Sequence, residues 1–111
     1  MDQLDRYREI VRCLIEEYAS YKPAYGDIRT EAVVDREHDH YEVMQVGWNG
    51  DRRVHGSIIH IDIRDGKVWI EYNGTDARIG EELVAACIAR DDMVLGFHPA
   101  ELRPLTGYGV G

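Results

Sequence analysis

Cysteine is nearly absent from this chain of 111 residues: only Cys13 and Cys87 occur. Each sits in an apolar stretch, and their spacing matches no metal-binding or redox motif. That argues against a disulfide-stapled scaffold, and the expectation is two free, buried thiols, as suits a reducing cytosol. Positive charge is also short. Lys and Arg number 13 against 21 Asp and Glu, for a formal charge of −8. A field of that sign repels phosphate backbones, so the balance favours protein partners over nucleic acid. Long apolar runs are missing as well. No window approaches the roughly 20 apolar residues that span a bilayer. The start Met1-Asp2-Gln3-Leu4-Asp5 has neither the basic opening nor the apolar run of a signal peptide. The expected location is the cytoplasm, with no membrane contact. Repeats, low-complexity tracts and an internal linker are likewise lacking.

What is present is a normal globular balance, 44% hydrophobic and 31% charged. The length suits one domain over residues 1–111. Leu4, Tyr7, Val11, Leu14, Tyr18 and Tyr21 recur at spacings of three and four, widened by Ile10 and Ile15. Such a stripe predicts an amphipathic helix, with Asp2 as N-cap. Pro23 and Gly26 end it. Four strands are expected next: 28–35, 40–49, 53–64 and 67–73. Ile59, Ile61 and Ile63 share one face of the third; Ile58, His60 and Asp62 share the other. Val68, Ile70 and Tyr72 are expected to alternate against Trp69 and Glu71. Asn49-Gly50-Asp51 and Asp65-Gly66 are hairpin turns, which makes the strands an antiparallel meander. Thr75 or Asp76 is the expected cap of a second helix with Ile79, Leu83, Val84 and Cys87 on its apolar face. Met93-Val94-Leu95 reads as a short fifth strand, followed by an irregular tail. The fold class is α+β: a long N-terminal helix on an antiparallel meander of about four strands, then a shorter helix and a short fifth strand.

Chemistry-bearing residues are scattered. His60 and Asp62 lie on one strand face, and Glu71 joins or leaves them depending on register. With His98 in Gly96-Phe97-His98-Pro99, they form a candidate set for metal binding or acid–base work. A solvated strand face is the plainer account. His38 and His40 flank Asp39 in a hairpin loop and are candidate metal ligands; a solvated turn explains them as well. Arg52, Arg53 and Arg64 are the candidate basic spot for phosphate or an acidic partner. Seven of the ten aromatics are tyrosine. Tyr18, Tyr21, Tyr25 and Tyr108 are candidate partner-binding residues, since tyrosine suits half-buried interface positions. Ser57 lacks a nucleophile-elbow context, and no glycine-rich phosphate loop opens a helix. No motif calls for a cofactor.

Several blocks in order carry a resemblance. They include Tyr7-Arg8-Glu9-Ile10, Tyr21-Lys22-Pro23-Ala24-Tyr25-Gly26-Asp27, and Arg52-Arg53-Val54-His55-Gly56. Ile59-His60-Ile61-Asp62-Ile63, Gly66-Lys67-Val68-Trp69-Ile70, Gly96-Phe97-His98-Pro99 and Thr106-Gly107-Tyr108 follow. On these the chain resembles the XisI family, the excision-controlling factor proteins of the cyanobacterial fdxN element. Ala89-Arg90-Asp91-Asp92 departs from the Pro-Lys-Glu-Asp type of turn common there. The resemblance implies an accessory factor in programmed DNA excision, acting beside a separate site-specific recombinase. It also implies pairing with a XisH-like protein of endonuclease-like fold. It carries over no catalytic residue, and self-association stays open. An acidic protein of this kind could mask a partner's basic cleft, with Glu16, Glu17, Glu81 and Glu82 as the charge mimic.

Overall fold

In a computed structural model describing residues 2–111, the stripe forms helix α1, Gln3–Ala19, and buries Tyr7, Val11, Leu14 and Ile15. The Asp5 N–H donates to the Asp2 carboxylate at 2.8 Å, so Asp2 caps the helix. A cap of this kind contributes about 1 kcal/mol. The solvent side is laced by Arg12, which pairs with Glu9 at 2.8 Å and Glu16 at 2.6 Å. The helix stops at Ala19, short of Tyr21.

Five strands follow in sheet order β1-β2-β3-β4-β5: Asp27–Asp35, His40–Asn49, Arg52–Arg64, Lys67–Asn73 and Met93–Leu95. The first four form the expected antiparallel meander. The fifth runs parallel to β4, which requires the crossover supplied by helix α2, Ile79–Ala85. Asp65 and Gly66 both have positive φ, 54° and 75°, as a two-residue hairpin turn demands. Both helices cover one face of the sheet. There Tyr41, Val43, Ile59, Ile61, Ile63, Val68 and Ile70 meet the buried residues of α1 and, from the C-terminal third, Ile79, Leu83, Ile88 and Met93. Each fully buried aliphatic contributes about 1.5–3 kcal/mol.

Two bulges set the opposite face. Val43 pairs with Ile59 but Met44 pairs with Ser57, so Ile58 is extra; it packs against the core rather than sharing the expected face of His60 and Asp62. His60 pairs with Tyr72 but Ile61 pairs with Ile70, so Glu71 is extra. The second bulge corrects the expected alternation in β4. Tyr72 shares the His60 face rather than the Ile70 face, and is 51% exposed.

Three further expectations are corrected. Neither Thr75 nor Asp76 caps α2; its N-cap is Arg78 without a side-chain bond. The Thr75 hydroxyl instead accepts the Ala77 N–H inside the connecting turn. Cys13 and Cys87 are exposed, not buried. Cys13 lines an open groove between α1 and α2. Cys87 lies past the end of α2 with φ 82°, where Cys87 and Ile88 donate their N–H groups to Val84 and Leu83. This left-handed ending directs the apolar Ile88 inward and the thiol outward. The tail is not wholly irregular: Ala100–Leu105 forms a 3₁₀ helix, and Gly109 bridges to Val94. No helix among the described residues is long and apolar enough to cross a membrane.

Candidate functional site

The face of the sheet away from the helices carries the densest chemistry. Because Ile58 bulges, the β2–β3 register places His40 opposite Asp62 and Glu42 opposite His60. Directly opposed side chains share a face, about 4.5–5.5 Å apart at Cβ. A two-by-two patch of two imidazoles and two carboxylates results. Without that bulge the register would move by one, and His40 would oppose Ile61 over the core.

Both imidazoles converge on one oxygen. His40 Nδ1 and His60 Nε2 each lie 2.8 Å from Asp62 Oδ1. The other nitrogen of His60, Nδ1, is 3.9 Å from Glu42 Oε1. Asp62 is 9% exposed, while the His40 side chain is 56% exposed. A carboxylate that buried needs donors, and the two rings supply them. The Asp62 hydrogen bond and charge raise the His40 pKa above its ordinary value. Among the described residues, His40, His60 and Asp62 are the His/Cys/Asp/Glu group whose potential ligand atoms all lie within 4.8 Å of one another.

The other sequence candidates distribute differently. Glu71 is carried out of the patch by its bulge and turns its carboxylate to Gly96 and Trp69; a Cβ at Gly96 would collide with it. His98 stacks on Phe97 at 4.7 Å and borders a hollow with Leu95, Leu102 and Leu105. His60 and Asp62 therefore converge, and Glu71 and His98 do not join them. His38 is held by Asp35, through its ring at 2.9 Å and its N–H at 3.0 Å, and it does not join His40. The Asp35 pKa falls below the usual range, chiefly because it accepts that backbone N–H. Arg64 stacks on Trp69 at 3.8 Å, with Arg103 on the same ring at 5.1 Å. Arg53 and Arg64 stand about 36 Å apart along one extended strand. Arg52, Arg53 and Arg64 thus form no common basic patch.

A second constellation gathers at the far end of the sheet. Asp27, Trp48 and Arg53 form one row across β1, β2 and β3, and Asn49 pairs with Arg52. Arg53 lies over the Trp48 ring at 5.2 Å. Tyr25 precedes that row, and Tyr21 borders a hollow with Asp27 and Ile28. Tyr21, Trp48 and Tyr25 are 53%, 50% and 77% exposed. Tyr18 meets Tyr21 edge-on at 5.4 Å and donates to Glu82 at 2.6 Å; Tyr21 donates to Glu17 at 3.0 Å. Burial first, then the bond to Glu82, raises the Tyr18 pKa, so the hydroxyl stays a donor. Glu17 and Glu82 also rim the apolar groove formed by Ile10, Cys13, Leu14 and Ala86. Tyr108 is elsewhere, packed against Gly80 and under Arg90 at 5.1 Å. Sequence reasoning missed Trp48, Glu42 and the partnership of His40 with Asp62. All three follow from cross-strand register, which periodicity alone does not give.

The chain matches known proteins from end to end. The sequence profile described as XisI protein matches residues 1–110. A crystal structure of a XisI-like protein from Anabaena variabilis ATCC 29413 is similar at 40% identity and TM-score 0.92, covering 98% of this chain and all of that one. A structure of the fdxN element excision controlling factor XisI from the same organism is similar at 32% identity and TM-score 0.82, covering 99% of this chain and all of that one. No curated protein matches the chain. With the profile spanning nearly every residue and the fold shared throughout, this chain belongs to the XisI protein family.

Proposed function

We propose that this chain is an excision-controlling factor that acts by binding a XisH-like protein of endonuclease-like fold. The excision role rests on likeness to the fdxN element excision controlling factor XisI. The binding role rests on one observation of this molecule: Tyr21, Tyr25 and Trp48 stand half or more exposed at one end of the sheet, where Trp48 pairs with Arg53. Tyr, Trp and Arg are the side chains that dominate interface energetics, because they bury large area while keeping a polar handle. Beside them, Glu17 and Glu82 give the groove between α1 and α2 an acidic rim that suits a basic partner surface. Glu16 and Glu81 are paired with Arg12 and Arg78 and contribute less to that rim.

The test is co-expression with a XisH-like protein of the same genome, followed by size-exclusion chromatography with light scattering. A stable stoichiometric complex is expected. Two separate peaks at micromolar concentration would overturn the reading.

A further inference from the structure

We propose that His40, His60 and Asp62 bind one divalent transition-metal ion of the zinc type on the open face of the sheet. This inference stands apart from partner binding and can fail or hold without it.

Zinc bonds to imidazole nitrogen and carboxylate oxygen are about 2.0–2.2 Å, so tetrahedral ligand atoms sit about 3.3 Å apart. The two N···O separations here are 2.8 Å. Opening each by about half an ångström admits an ion, and side-chain rotation supplies that without moving the strands. The backbone already fixes the relative positions of all three residues, since β2 and β3 hold His40 against Asp62 across a bulge and His60 two residues along. Rigid strands hold ligands more closely than loops do.

The protonation states fit. Each ring now directs an N–H at Asp62, through His40 Nδ1 and His60 Nε2. Metal binding requires those nitrogens bare, so each neutral ring carries its proton on the other nitrogen. For His60 that is Nδ1, which faces Glu42 at 3.9 Å. A ligating histidine commonly donates its remote N–H to a carboxylate, which fixes its tautomer. Glu42 is thus a positioning residue for His60. The His40 side chain is 56% exposed, so water can hydrate its remote nitrogen.

Charge points the same way. With neutral imidazoles, Asp62 and Glu42 leave two negative charges on the patch. Arg64, on the same strand face, is committed to the Trp69 ring at 3.8 Å. A dication balances the two carboxylates. The paired imidazoles select zinc, copper, nickel or iron over magnesium and calcium, which prefer oxygen ligands. Three protein ligands leave a fourth position on the solvent side, filled by water.

The test is isothermal titration of zinc chloride into chelator-treated protein. One equivalent is expected to bind, with millimolar magnesium failing to compete. His40→Ala and His60→Ala should each weaken binding at least about 100-fold, and Glu42→Gln about 10- to 100-fold. His38→Ala should leave it unchanged. Circular dichroism with chelator present checks that each variant is folded; His40→Ala, at an exposed side chain, keeps the test valid if His60→Ala is not. Cobalt(II) should give the intense visible bands of a four-coordinate site, lost in His40→Ala. No zinc binding by the unaltered protein, binding that survives His40→Ala, binding that vanishes with His38→Ala, or displacement by magnesium would each overturn the proposal.

Discussion

Along β3, the segment 59–64 lies over the core and buries Ile59, Ile61 and Ile63, while no residue of 52–58 is fully buried and Ile58 alone is named among its partly buried core neighbours. The same contrast runs through β2, where Tyr41 and Val43 are buried and everything from Met44 onward is at least partly open. At the packed end, Arg8 grips Asp39 through two bonds of 2.9 and 3.1 Å, and Tyr41 donates to the same carboxylate at 2.9 Å. Arg36 adds a bond to Glu9 at 2.9 Å. At the other end stand Tyr25, Trp48, Arg52 and Arg53; strand pairing holds the last three, and Arg53 lies over the Trp48 ring. One end is tied to its own helix, and the other presents aromatic area to whatever arrives. A strand longer than its core leaves a platform whose residues have few packing partners of their own.

Substitution along a single strand breaks or sharpens that contrast. Ile61→Ala should cost about 2–5 kcal/mol of unfolding free energy, whereas His55→Ala should change it by less than about 0.5 kcal/mol. Chemical denaturation checks both, and equal losses would dissolve the division. Gly47→Ala attacks the platform itself. Its Cβ would run into the Asp27 carbonyl and the Ile28 backbone, so β1 must shift. About 1–3 kcal/mol should be lost, with amide exchange accelerating in β1 before the core. Tyr41→Phe removes the donor to Asp39 and should cost about 1 kcal/mol; Tyr72→Phe, on an exposed ring, should cost nothing measurable. Cys87→Gly should act in the opposite direction. The left-handed position past α2 suits glycine, so the melting temperature should rise by a few degrees, corresponding to about 1 kcal/mol.

Much of the fold was legible because its signals are local. Alternating spacings of three and four gave α1, and Ile59-His60-Ile61-Asp62-Ile63 gave the two faces of β3. Asp65-Gly66 gave a turn whose geometry only those residues take readily. Cys87 departs from the expectation because its helical spacing continues two residues past the helix, to where the backbone turns left-handed. The site was legible only in part. His60 and Asp62 are neighbours on one strand, so a period of two finds them. His40 joins them through a bulge at Ile58, and Glu71 leaves through a bulge of its own. A one-residue slip of this kind has no sequence signature here, since Ile58 looks like any strand residue. The aromatic end was half visible, as tyrosine content without position; register supplied Trp48 and placed the arginines beside it.

The central proposal for the molecule is that a partner docks at the open end of the sheet. Affinity for the XisH-like protein, measured by isothermal titration, tests it most directly with the double variant Tyr25→Ala/Trp48→Ala set against His60→Ala. At least about a 30-fold loss is expected for the aromatic pair, as befits two interface anchors, with unchanged stability, and near-normal affinity is expected for His60→Ala. Full affinity in the aromatic double variant, or a loss confined to His60→Ala, would contradict it and move the interface to the histidine end of the sheet.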